Sequence, residues 1–256
     1  MPLVDSSITN HLATITLNRP DKRNAMSKAL ITELMSAARK VAANHDVRVV
    51  VLQGHGEHFC AGADLEWMRD SLHATADDNR RDAALIAELM ATISQLPQPV
   101  IARVQGAAIG GGAGLVATAD VVVAAEDAKI GFSEVRLGII PSVVAPYVIP
   151  KIGLAASRRY FVTGERINAS TAKMLGLVHE VVPAADLDAK VRYFVEAILA
   201  GGPNAVREAK RLVAEVGGRI APDLIERKIN KLAEIRVTPE AQEGMTAFLE
   251  GRKPQW

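Results

Sequence analysis

From Val104 to Ala119 the chain runs sixteen residues without a charge, VQGAAIGGGAGLVATA, and five of them are glycine: Gly106, Gly110, Gly111, Gly112 and Gly114. So apolar a run must be buried, in lipid or in protein. Sixteen residues fall short of the ~20 that a spanning helix needs, and the glycines would weaken a helix facing lipid. A nucleotide loop fails as well. There is no G-x-x-x-x-G-K-[ST], and Leu115 stands where G-x-G-x-x-G counted from Gly110 needs its last glycine. What remains is a place where bare backbone comes close to something: a helix packed tightly on a strand, or peptide N–H groups aimed at a substrate. Pro99–Val104 reads as a strand. A helix opening near Gly111 would present N–H groups with no internal partner, backed by the positive end of the helix dipole. Such donors suit an oxyanion hole. A second small-residue turn, FCAGADL (59–65), also leads into a helix start at Asp64, so each turn would supply one N–H.

The rest of the chain fits a substantial α/β protein. It has 256 residues, 49% hydrophobic and 23% charged, with a formal net charge of +1, so neither a nucleic-acid-binding face nor an acidic-membrane face is indicated. Strands are expected over 12–18, 47–52, 99–104, 120–125 and 129–132. Helices are expected over 27–43, with Ser27 as N-cap, from 64, and over 79–95. Beyond Pro141 the pattern turns mostly helical: 143–162, 169–175, 186–200, 204–216, 221–237 and 239–250. This predicts an α/β core followed by a helical C-terminal part. Cys60 is the only cysteine, so no intramolecular disulfide forms, and MPLVDSSITN lacks a signal-peptide pattern. The expected location is cytoplasmic. His55, His58 and Cys60 match no zinc-ligand spacing, so no metal is expected, and Cys60 reads as a small buried side chain.

Several blocks taken together resemble the enoyl-CoA hydratase/isomerase, or crotonase, superfamily. They are NRPDKRNAMS (18–27), HFCAGADL (58–65), QPVIARVQGAAIGGGAGLVATAD (98–120), FSEVRLGIIP (132–141) and VTGERINASTAKMLGLVHEVVP (162–183). The resemblance implies a spiral of ββα units over residues 1–195, a helical trimerisation region over 196–256, and a homotrimer or dimer of trimers. It implies an acyl-CoA thioester as substrate, with coenzyme A part of that substrate and no separate cofactor. By the same resemblance the oxyanion-hole donors are the N–H groups of Ala63 and Gly111, and Glu134 is the catalytic carboxylate. Lys22, Arg23 and Ala25 would cover the CoA from one side, and Ala61, Gly62, Ala63, Asp64 and Leu65 would face it from the other. Phe248 and Lys253 would reach CoA bound to a neighbouring subunit.

The pattern departs from many hydratases of that family at one catalytic position: Gly114 stands where a first glutamate is usual. One carboxyl group can still take a proton from water and return it to the α-carbon, or move a proton from C2 to C4. The chain most resembles a bacterial methylglutaconyl-CoA hydratase-like group, whose substrates are branched, carboxylated enoyl-CoA thioesters. A hydratase is therefore expected. A 3-enoyl-CoA to 2-enoyl-CoA isomerase and a catalytically weak CoA-thioester-binding paralogue are the alternatives. Locally, Glu134 also reads as half of a surface ion pair with Arg136. Arg136 reads equally as that partner or as a bidentate receptor for an acyl carboxylate. Asp120 is expected to be structural, and Ser142 to serve a turn near the acyl pocket.

Overall fold

The structure is a computed structural model and describes residues 2–216, 226, 229–230, 232–234 and 236–252. Strands β1 (Val4–Thr9) and β2 (Leu12–Leu17) form an antiparallel hairpin. Its two turn residues, Asn10 and His11, both have positive φ (48° and 67°), the twist that two-residue hairpin turns require. β2 alternates, with Ala13, Ile15 and Leu17 turned inward. From β2 onward the large sheet is parallel, in the order β1-β2-β3-β4-β6-β9. Its further strands are β3 (Val49–Gly54), β4 (Val100–Val104), β6 (Val121–Ala125) and β9 (Glu180–Val182). A small second sheet joins β5 (Ala107–Ile109), β7 (Lys129–Gly131) and β8 (Arg166–Asn168).

The central strands are apolar on both faces because helices cover both. On one side Val50, Leu52, Ala102 and Val122 enter the main core with α1 (Lys28–Ala43) and α4 (Gly111–Thr118). On the other, Val49, Val51, Ile101 and Val123 pack on Leu187, Val191 and Val195 of α7 (Leu187–Ala200). The expected boundary between residues 195 and 196 falls inside this helix. Two stretches, β4–β5–α4 and β6–β7 followed by α5 (Ala145–Thr163), repeat one plan: a strand in the large sheet, a strand in the small one, then a helix. A parallel bridge from Cys60 to Ala108 adds a third partial repeat, between β3 and α2 (Leu65–Ser71). The spiral of ββα units is thus borne out.

Local chemistry sets the boundaries. Ser27 (φ −103°, ψ 164°) caps α1, its hydroxyl accepting from Leu30 N–H. α3 (Ala76–Ser94) starts earlier than its apolar pattern suggests, because Thr75 and Asp78 close a reciprocal capping box. β3 starts two residues later than expected. α5 breaks at Gly153, where φ is +74°. β5, β8 and β9 were not expected as strands; each has only three residues. The helical remainder comprises α6 (Ala169–Met174), α8 (Pro203–Val216) and α9 (Pro239–Leu249). The helix expected over 221–237 lies largely outside the described residues. Among the described residues, no helix is long and apolar enough to cross a membrane.

Candidate active site

The two small-residue turns are laddered together. Cys60 N–H donates to Ala107 (2.9 Å), and Ile109 N–H donates back to Cys60 (3.0 Å). Ala63 and Gly111 each lie three residues beyond the bridged pair Cys60 and Ala108. A second bridge orients Ala63: Met26 N–H donates to Gly62 (2.7 Å) and Asp64 N–H donates to Met26 (2.9 Å). Successive peptide groups in extended chain alternate in direction, so with Asp64 N–H turned toward Met26, Ala63 N–H points away from it. Gly110, at φ 53° and ψ −118°, donates to Gly131 and starts α4. Gly111 N–H therefore opens the helix before its first internal bond, which Gly114 N–H makes to Gly110 (3.0 Å). Among the described residues neither Ala63 N–H nor Gly111 N–H has an acceptor.

Side chains would force these turns apart. A Cβ on Gly112 would stand 2.4 Å from Cys60 O, and one on Gly111 would stand 2.9 Å from Met26 Sδ. Tight packing and peptide N–H groups without an acceptor among the described residues therefore occur together in these turns.

Glu134 opens a 3-10 turn, Glu134–Leu137, two residues beyond the buried Phe132. Its Oε1 lies 3.5 Å from where a Cβ on Gly110 would stand, which puts the carboxyl beside the residue preceding the Gly111 donor. Part of the residue reaches the surface, but Oε2 is sealed and has no hydrogen-bond partner among the described residues. Burial pushes the Glu134 carboxyl up to about 7, and only its own N–H opposes that rise. Arg136 does not pair with it. Two residues on a 3-10 turn place side chains on different sides. Arg136 is exposed and lies against the 164–165 loop, its Nε 3.2 Å from the position of a Cβ on Gly164. The surface ion-pair reading of Glu134 is overturned.

Gly114 is sealed by apolar groups. A Cβ there would meet Val144 Cγ1 at 2.4 Å and Met90 Cε at 3.2 Å. No carboxylate stands at the position of the usual first glutamate, and its space is filled. Helix α9 clamps the far side of the Glu134 turn: a Cβ on Gly244 would meet Leu137 C at 2.3 Å, and Ala241 and Met245 pack with Ile139, Met68 and Leu72.

The residues assigned to CoA gather in two loops held side by side. Ala61 N–H donates to Arg23 O (3.0 Å), and buried Asn24 donates to His55 O (2.9 Å) and His58 O (2.7 Å). Lys22 and Arg23 are exposed, Ala25 is buried, and Ala61, Gly62 and Leu65 follow the second loop into α2. Asp64 is already committed. It caps α2 through Glu66 N–H (2.8 Å) and Trp67 N–H (3.3 Å) and pairs with Arg19 at 2.8 Å. Burial alone would raise its carboxyl, but these partners outweigh burial and hold it below the usual carboxylate range. Asp64 therefore shapes the loop, and its charge is not free for a ligand. Beside it opens a cavity of about 420 Å³ lined by Arg19, Lys28, Glu66 and Trp67. Phe248 is half exposed on α9, and Lys253 lies outside the described residues.

Three other groups are accounted for. Burial pushes the Cys60 thiol up to about 12, which leaves it un-ionised. His58 Nδ1 accepts from Ala107 N–H (3.2 Å). Asp120 accepts from Val100 N–H and Lys210 Nζ, both at 2.7 Å, which is a structural role. One buried group went unnoticed in the sequence. Arg236 sits in EIRVTPE, a stretch that reads as an ordinary helical surface, and only the packing of the C-terminal segment buries it.

Comparison with known proteins agrees with this geometry. A family model described as Enoyl-CoA hydratase/isomerase matches residues 7–256. The 2,3-dehydroadipyl-CoA hydratase of Escherichia coli is 33% identical over 94% of this chain and 93% of its own length. The crotonyl-CoA hydratase of Syntrophomonas wolfei is 33% identical over the same shares, 94% and 93%. The crystal structure of an enoyl-CoA hydratase from Mycobacterium avium superposes with a TM-score of 0.89 at 34% identity, covering 99% of this chain and 98% of that one. With the two laddered turns, the ββα spiral and matches over nearly its full length, the chain belongs to the enoyl-CoA hydratase/isomerase family.

Proposed function

We propose that the protein adds water across the double bond of a 2-enoyl-CoA whose acyl chain is branched or carboxylated, such as 3-methylglutaconyl-CoA. The observation that carries this reading is the Glu134 carboxyl, its Oε2 sealed, beside Gly110 at the head of the helix whose Gly111 N–H, like that of Ala63, has no acceptor among the described residues. In the reaction Ala63 N–H and Gly111 N–H receive the thioester oxygen, where negative charge grows as the enolate forms. The Glu134 carboxylate takes a proton from water while the oxygen of that water bonds to C3. The π electrons move toward the thioester oxygen. Glu134 then gives the proton to C2, and the carboxylate is restored. With Val144 and Met90 filling the space beside Gly114, one carboxyl group serves both transfers. A pKa near neutrality suits a group that must both accept and donate.

The same single carboxyl supports a second reading, an isomerase that takes a proton from C2 of a 3-enoyl-CoA and returns it at C4. The two loops Lys22–Ala25 and Ala61–Leu65 would hold the CoA portion, which arrives with the substrate. The expected assembly is a homotrimer or a dimer of trimers, with residues from 196 onward at its contacts and Phe248 and Lys253 near a neighbour's CoA.

The test is product identity. Crotonyl-CoA, 3-methylglutaconyl-CoA and a 3-enoyl-CoA are each incubated with the protein and with Glu134→Gln, and products are weighed by mass spectrometry. The expected result is a product heavier by one water from a conjugated substrate, with a rate ~10²–10⁴ lower in the variant. A mass-neutral change of the 3-enoyl substrate alone would establish the isomerase. Equal inertness of both proteins would leave a binding protein.

A further inference from the structure

Helix α3 buries two polar side chains, Asn79 and Asp82, and the C-terminal segment buries a third, Arg236, within electrostatic reach of Asp82; all three are at most 8% exposed. Their partners do not balance. Asp82 Oδ2 accepts from Trp67 Nε1 at 2.6 Å, and its Oδ1 takes Lys28 Nζ at 2.6 Å. Its charge is thereby spent on a lysine. Arg236 feels Asp82 only at longer range: its Nε and Nη1 are sealed from solvent and have no acceptor among the described residues. Asn79 Oδ1 is likewise sealed and unpartnered among the described residues, while its Nδ2 is engaged with Ala74 and Thr75. Burial lowers the Arg236 pKa, as expected for a cation removed from water without a counter-ion. A guanidinium does not lose its proton in a protein, so the charge persists. Breaking or omitting one half of a buried ion pair is among the costlier defects a fold can carry.

The position of Arg236 shows what could supply the missing anion. The segment before it packs Ile229 and Leu232 on Val143 and on Ala83 and Ala87 of α3. The next residue along from Val143 is Val144, which fills the space beside Gly114. The segment after it is α9, whose Ala241 and Met245 close over the Glu134 turn together with Met68 and Leu72. Gln242 ties the two, donating to Arg236 O at 2.8 Å. The unpartnered guanidinium thus belongs to the same C-terminal segment that packs on the Glu134 turn, in which Ile229, Leu232, Ala241 and Met245 supply apolar surface. Such a wall suits an aliphatic chain with one charged end. A planar fork of N–H donors matches the two oxygens of a carboxylate.

We propose that Arg236 is the receptor for a carboxylate at the end of the acyl chain remote from the thioester. For its ligand this rests on the enoyl-CoA reading, but its test needs no turnover. Glutaryl-CoA and pentanoyl-CoA have equal chain length, differ only in carboxylate against methyl, and carry no double bond. Their dissociation constants for the intact protein and for Arg236→Met are measured by calorimetry. The intact protein should prefer glutaryl-CoA by about 10–100-fold, the range of a charge-assisted hydrogen bond, and Arg236→Met should bring that ratio near one. If the methionine variant does not fold, Arg236→Lys, which keeps the charge and loses the fork, should shrink the ratio severalfold; an unchanged ratio there would overturn the proposal.

Other outcomes also overturn it. Equal affinity of the intact protein for both ligands would mean no anion receptor. An equal loss for both ligands in the variant would point to a CoA phosphate as the partner. A changed oligomeric mass with the ratio preserved would assign Arg236 to a carboxylate of a second copy. If neither ligand binds, the enoyl-CoA reading falls and takes this inference with it.

Discussion

A carboxyl group that titrates near neutrality makes both rate and stability depend on pH, and Glu134 should report on both. Hydration needs the carboxylate form, so kcat/KM should fall about tenfold per pH unit below about 7 and level off above it. Stability moves in the opposite sense. Burial favours the neutral acid in the folded state, whereas an unfolded glutamate titrates near 4.5. Between those values the folded protein holds a proton that the unfolded chain has released. The stabilisation is complete below about 4.5 and is lost as pH rises through about 7, by on the order of 3 kcal/mol. Glu134→Gln cannot titrate. Thermal unfolding of both proteins at pH 5 and pH 8 should show the wild type losing ground to the variant at pH 8. A constant gap between them would mean that the carboxyl is solvated and not sealed. The oxyanion donors offer no such handle, since every residue except proline carries the same N–H.

At the scale of elements, α4 is placed by how little side chain it has. Its buried glycines let Cys60 approach at Gly112 and Val144 at Gly114. Gly114→Ala would drive a methyl to 2.4 Å from Val144 Cγ1, so overpacking should cost about 1–3 kcal/mol. Val144→Ala should cost stability alone yet recover most of the loss when combined with Gly114→Ala. Chemical denaturation of the four proteins would show this as a favourable coupling, and strict additivity would refute the contact. These elements also show what could be read from sequence. α1 was legible because seven buried positions recur at helical spacing behind a serine cap. The two donor turns were legible because close approach admits only small residues. β5, β8 and β9 were not, since three residues are too few for alternation to show. Glu134 could be found only as part of a motif, because its neighbour Arg136 offered a surface pairing that packing then removed. Arg236 gave no local signal at all, since its segment is buried by packing on α3, some 150 residues earlier in sequence, where Asp82 lies within its electrostatic reach.

At the scale of the whole molecule, the C-terminal helices must be fixed on the core without disturbing the turn they cover. Asp120 links three parts of the chain. It lies between α4 and β6, accepts from Val100 N–H of β4, and pairs with Lys210 of α8. One residue earlier, Ala119 O accepts from Lys151 Nζ of α5 at 2.6 Å. Burial pulls Lys151 down to about 8, Asp120 opposes that fall, and Lys210 adds to it. Asp120→Ala would leave Val100 N–H without its acceptor and two ammonium groups facing each other without the anion between them. Because the Asp120–Lys210 pair is partly open to solvent, the loss should be moderate, about 1–2 kcal/mol. It should appear as a lower Tm and as faster proteolysis within the C-terminal helices. Lys151 should also discharge at lower pH, so the variant's Tm should vary more steeply between pH 7 and 8 than the wild type's. Turnover well below the transition should persist, since Asp120 touches neither donor turn nor Glu134. A rate lowered by 10² or more with Tm unchanged would instead put Asp120 in the chemistry, and Glu134 would then no longer be the sole acid–base group.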